Sequence, residues 1–148
     1  MKIFTKITAV FLIIITFSCS EDKPYMSCFT PPQGFSFEIA DAKTGENLFT
    51  NGTYKSNQIV ITDSNSNNVI YQFVSENNIN IIQLRTIGWK TEKINYQIKI
   101  GDKNIFTLYV DATRNSRECN YTTYNEITIK NAEFELNKST GIYKIYVP

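Results

Sequence analysis

The sequence predicts an all-β chain, a single antiparallel β-sandwich of immunoglobulin-like size, with a small β-barrel as the alternative. Three observations carry this. About eight or nine short runs rich in Ile, Val, Phe and Tyr are present, several of them alternating apolar and polar residues with period two, the mark of half-buried strands. Turn-forming clusters of Asn, Asp, Gly and Ser separate the runs at intervals of about eight to twelve residues, the spacing of sandwich strands. No segment carries a sustained 3.6-residue apolar stripe, so no long helix is expected.

The first strand is "FSFEIA" from Phe35, closed by the Asp and Gly of "DAKTGE". In "NLFTNGTY" the pair Asn51–Gly52 suits a tight turn, although its flanking runs are short. "QIVIT", "DSNSNN" and "VIYQFV" read as two strands joined by a polar turn, the clearest hairpin signal of the first half. "INIIQLRTI" follows as a longer run. "KINYQIKI" alternates strictly, and "GDKN" turns it into "IFTLYVDA", so residues 94 to 112 are expected as a second hairpin. "EITIKNAEFEL" and "GIYKIYV" supply the last strands.

The N-terminus reads as an address. Lys2 and Lys6 precede an apolar run from Ile7 to Phe17, followed by Ser18 and Cys19, the plan of a secretory signal. A membrane-spanning helix needs roughly 17 to 25 apolar residues, and this run is shorter. Cysteine after a small residue fits lipoprotein processing, with residues 1–18 removed and Cys19 acylated. Thr16 and Phe17 depart from the usual Leu-small pattern ahead of it, and an ordinary cleaved signal is the alternative. Acyl chains contribute about 0.8 kcal/mol per buried CH2, so several of them hold a protein on a membrane. Ser20, Glu21 and Asp22 resemble a surface-export signal. Residues 19–34, carrying three of the four prolines, read as an extended tether, and 35–148 as one domain. The expected location is the outer membrane, lipid-anchored and surface-exposed, with a periplasm-facing orientation as the alternative.

Of the fifteen Lys and Arg, Lys2 and Lys6 belong to the signal, leaving thirteen against fourteen acids. That balance produces no field able to steer nucleic acid. Export also bears on the cysteines, because thiols persist poorly in an oxidising compartment unless paired or buried. With Cys19 acylated, Cys28 and Cys119 remain. A disulfide between them would close a loop of roughly ninety residues, worth about 4 to 5 kcal/mol in the chain-entropy model. Two separate buried thiols are the alternative.

"FSFEIADAKTGENLF", "FTLYVDA" with a cysteine shortly after, and the closing "GIYKIYV" resemble a family of small lipoproteins from Bacteroidota-type bacteria. Its members share a lipoprotein signal, a β-rich domain and an Asp-x-x-Thr-Gly-Glu-Asn turn after the first strand. Asp41, Thr44, Gly45, Glu46 and Asn47 match that turn. The resemblance implies a fold and an address, and no activity.

The sequence has no histidine, which removes Ser-His-Asp and Cys-His catalysis and imidazole metal ligands together. No serine sits in a GxSxG elbow. Glu133 and Glu135 share one strand face and read as a solvated surface rather than a glycosidase pair. Asp63, Asn65 and Asn67 echo a calcium loop, but Asn68 stands where glycine is required and Val74 where glutamate is, so a turn is expected. No cofactor or metal is expected. Two possible contact features remain. Trp89 lies between two strands, either as a lid on the core or as an exposed anchor for a sugar or protein. Tyr121 and Tyr124, with Arg114 and Arg117, populate "TRNSRECNYTTYN", read either as a loop with ordinary surface residues or as a contact patch. The expected role is therefore non-catalytic binding of a glycan or envelope protein by a membrane-anchored domain. Structural or assembly work in an envelope complex is the alternative, and a carboxylate hydrolase is a third.

Overall fold

The computed structural model describes residues 28–77, 79–116 and 119–148. The expected signal peptide, Cys19, the export residues Ser20, Glu21 and Asp22, and Arg117 lie outside the described residues. The strands are β1 (Cys28–Phe29), β2 (Phe35–Asp41), β3 (Ile59–Thr62), β4 (Gln72–Val74), β5 (Ile81–Leu84), β6 (Glu92–Ile100), β7 (Lys103–Ser116), β8 (Cys119–Lys130), β9 (Glu133–Asn137) and β10 (Ile142–Val147). They form two five-stranded sheets, β1-β8-β7-β6-β3 and β4-β5-β2-β10-β9. The chain is all-β. Both sheets are mixed rather than purely antiparallel, because β1 runs parallel to β8 and β10 parallel to β2.

Alternation in the sequence becomes alternation in burial. Phe35, Phe37 and Ile39 of β2 and Tyr143, Ile145 and Val147 of β10 point inward, while Glu38 and Lys144 face out. They meet Phe106, Leu108 and Val110 of β7 and Ile98 and Ile100 of β6 in one apolar cluster. Phe37 and Phe106 join the two sheets directly, ring centroids 4.9 Å apart. Burial of such side chains contributes about 1.5–3 kcal/mol each.

The β6–β7 hairpin is as expected. Ile100 pairs with Lys103 across a two-residue turn in which Gly101 takes φ 59°, a conformation glycine adopts without strain. The first-half hairpin is not. β3 pairs with β6, whereas β4 lies in the other sheet against β5. "DSNSNN" does reverse the chain, through Asp63 accepting the backbone N–H groups of Asn65 and Asn67, but only the bridge Thr62–Asn68 follows. Val69, Tyr71 and Phe73 all pack against the apolar cluster, so this alternating run wraps the margin of the core from one sheet to the other.

Within the expected loop at residues 113–125, residues 113–116 and 119–125 are also strand. Thr113 to Ser116 pair with Thr123 to Asn120, extending the β7–β8 ribbon. Polar rungs hold it, with Asn115 Nδ2 donating to Thr123 Oγ1 and Asn125 Nδ2 to Thr113 Oγ1. Asn125 is an extra residue on β8, since Asp111 faces Glu126 and Ala112 faces Tyr124.

Several carboxylates are held below their ordinary range. Asp41 accepts backbone N–H groups from Thr44 and Lys43, Asp63 is bonded by the Asn67 side chain and backbone, and Asp111 by Lys93 and Asn125. Lys93 and Asp111 sit opposite each other on β6 and β7, 3.0 Å apart. Because these groups bind protons more weakly when folded, their stabilisation is present above the unfolded carboxylate value of about 4 and is lost as pH falls below it. The urea midpoint is expected to hold between pH 7 and 5 and to decline below about 4, less steeply in Asp111→Asn. An unchanged midpoint down to pH 3 contradicts this.

Candidate functional site

The described residues contain no group of three or more Cys, Asp or Glu placed to hold a metal ion. Asp41 and Asp63 each turn Oδ1 to two backbone N–H groups of their own turns, and Asp63 Oδ2 also accepts the Asn67 side-chain amide. Glu133 and Glu135 lie on the exposed edge strand β9, where Glu135 Oε2 accepts the Tyr146 hydroxyl at 3.2 Å. A cleft of about 620 Å³ opens at one end of the sheets between Ala42, Lys103, Ile105, Glu133, Tyr146 and Val147. Its lining comes from turns and strand ends scattered along the chain, which no local sequence signal connects.

The other end of β7 carries a different assembly. Trp89 is not a lid on the core: 52% of it is exposed, beside Phe29 at 53%. Their rings stack at 6.1 Å between centroids and 30° between planes. The Arg114 guanidinium lies 5.2 Å from the Phe29 ring centre and 6.0 Å from that of Trp89, within cation–π range.

Each member is fixed by its own element. Phe29 follows Cys28, which is disulfide-bonded to Cys119, with 4.8 Å between the Cα atoms. The bond lies where β1 pairs with β8, so it clamps the start of the domain to the far end of the β7–β8 ribbon. Arg114 Nη1 donates to Thr30 O at 3.0 Å and to Thr122 Oγ1 at 2.9 Å. Thr122 in turn donates to Gly88 O at 2.7 Å. Trp89 Nε1 donates to Arg85 O at 2.8 Å, and the Gly88 N–H to Glu92 Oε1 at 2.7 Å. Gly88 has φ 89°, and a Cβ there would lie 2.9 Å from Thr122 Cγ2 and from the Tyr124 hydroxyl. Only glycine lets the Trp89 turn sit this close to β8.

The structure thus unites Trp89 with Arg114 and adds Phe29, Thr30 and Thr122. Tyr124 belongs to the support: its ring meets Phe35 edge-on at 5.5 Å, its hydroxyl donates to Gln33 O at 3.1 Å, and burial pushes that hydroxyl's pKa up. Tyr121 is exposed, but strand alternation puts it on the opposite face of β8 from Thr122, away from Arg114. Phe29 lay inside the presumed tether. The signal able to find it was the disulfide itself, which brings whatever follows Cys28 to the neighbourhood of Arg114.

This patch offers flat apolar faces and a fixed cation. Glu92, the carboxylate nearest in the bonding network, holds the Gly88 N–H. The fold and the patch together define an all-β domain with an exposed aromatic–arginine cluster at its disulfide-clamped end. Comparison with known protein families, with curated proteins and with solved structures finds no match for the chain.

Proposed function

We propose that the chain is a membrane-anchored, surface-exposed lipoprotein of the small Bacteroidota type, acylated on Cys19. Its β-sandwich domain of immunoglobulin-like size binds a glycan of the envelope or its surroundings and performs no catalysis. The observation that carries this is the pair of half-exposed rings, Trp89 and Phe29, held side by side with Arg114. Monomeric surfaces seldom spend two large aromatics this way without a partner for them. A sugar ring laid on Trp89 and Phe29 buries its C–H face, while the guanidinium supplies donors to hydroxyls or to an acidic substituent. The absence of histidine agrees with a binding role.

Trp89 is the single tryptophan, so its fluorescence reports on the patch directly. Titration with a panel of neutral and acidic envelope oligosaccharides is expected to give saturable quenching for at least one. Phe29→Ala should weaken that ligand about tenfold or more, the scale of an aromatic hot spot. An emission spectrum unmoved by the whole panel would overturn the glycan reading.

A further inference from the structure

The first sheet leaves one long edge open. β1 covers only the start of β8, at Cys119 and Asn120, and Pro31 and Pro32 then carry the chain away, since proline cannot extend a ladder. Among the described residues, β8 from Tyr121 to Lys130 has no strand on that side. Such an edge presents a row of backbone donors and acceptors ready to pair. The other outer strands are short or defended. β1, β3 and β4 have two, four and three residues. Full-length two-fold pairing of β9 would set Glu135 against its own copy.

We infer that the occupant of the β8 edge is the β8 edge of a second copy, in a two-fold antiparallel register centred on Thr128. A two-fold antiparallel ladder must be centred on a residue, because only then do outward-pointing backbone groups meet their like. The extra residue Asn125 interrupts regular alternation, so the regular segment is Glu126 to Lys130, and its centre is Thr128. In that register Glu126 faces Lys130 of the mate, and Lys130 faces its Glu126, on the solvent side. On the inner side Ile127 faces Ile129. Two opposite-charge pairs and two apolar pairs arise from one register, each type favourable across strands. Centring on Glu126 or on Lys130 would instead oppose like charges.

The inner face also leaves apolar surface to cover. Ile127 is 36% exposed, and across the turn at Asn131 and Ala132 the β9 residues Phe134 and Leu136 are 45% and 38% exposed. β9 is the outer strand of the second sheet and follows β8 directly through that turn. Joining two copies through β8 makes one continuous sheet eight strands across, β3-β6-β7-β8 of each copy meeting at β8, and covers Ile127. This surface is separate from the aromatic patch, so the inference stands whatever that patch binds.

Charge reversal tests both partner and register. Glu126 and Lys130 are exposed, so neither change disturbs the core. The mature full-length protein, extracted in mild detergent, is expected to be a dimer by light scattering coupled to size exclusion. Glu126→Lys and Lys130→Glu should each weaken the dimer about tenfold or more, and the double variant should restore it. Thr128→Cys should cross-link to a homodimer under mild oxidation, because its partner is its own copy, whereas Lys130→Cys should not. A monomer at about 100 µM, a dimer indifferent to the single reversals, or a Thr128→Cys that captures a different chain would each overturn the inference.

Discussion

Replacing Cys28 and Cys119 together by Ser is expected to lower the melting temperature by about 10–20 °C and to abolish the aromatic patch. The two cysteines are 91 residues apart, so the bond removes a large loop-closure entropy from the unfolded chain. Loss of a native disulfide from a small domain costs about 2–5 kcal/mol, near the whole stability of many such domains. The second consequence is local. β1 is two residues long and joins the sheet through one parallel register, too little to hold Phe29 beside Trp89 once the covalent bond is gone. Differential scanning calorimetry measures the first effect, and the red shift and faster quenching of Trp89 emission by acrylamide the second. A double variant that melts as the parent does would show that the clamp is dispensable.

Phe37→Ala is expected to destabilise the domain by about 3–5 kcal/mol. Phe37 is fully buried and touches Phe106 of the opposing sheet at 4.9 Å and Tyr143 of the neighbouring strand at 5.6 Å. Its removal opens a cavity at the junction of the two sheets, and Phe106 and Tyr143, fixed on strands on two sides, relax little into it. Phe134→Ala, on the exposed edge strand β9, should cost far less, about 1 kcal/mol or below. Chemical denaturation of both variants decides the matter; equal losses would place the core elsewhere.

The parts of the fold that could be read in advance are those in which local pattern and tertiary environment agree. β2, β6, β7 and β10 alternate because one face meets the core and the other meets water, and the Cys28–Cys119 bond followed from counting the thiols left after Cys19. The β3–β4 segment defeated the same logic. An alternating run that wraps the margin of a core has the same period as a hairpin strand, and only the competition of β6 for β3 and of β5 for β4 separates them. Residues 113–116 and 119–123 escape the pattern for a different reason. Both faces of that ribbon are largely polar, so Thr, Asn and Arg stand where an apolar face would have marked a strand. Arg114 and Trp89 stand out by their chemistry, but their meeting with Phe29 depends on a parallel β1–β8 contact to which no local residue preference points.

The parallel pairing of β2 with β10 sets a condition on how the chain matures. β2 is the first long strand and β10 the last, yet they are neighbours in the middle of the second sheet, with six residue pairs in register from Ser36–Ile142 to Asp41–Val147. Their inward residues Phe37, Ile39, Tyr143 and Ile145 cannot close the core until the final strand has been synthesised. Contacts this remote in sequence make folding slow, in the millisecond-to-second range typical of β topologies. A nascent chain therefore keeps the apolar face of β2 uncovered until β10 has emerged to lie beside it.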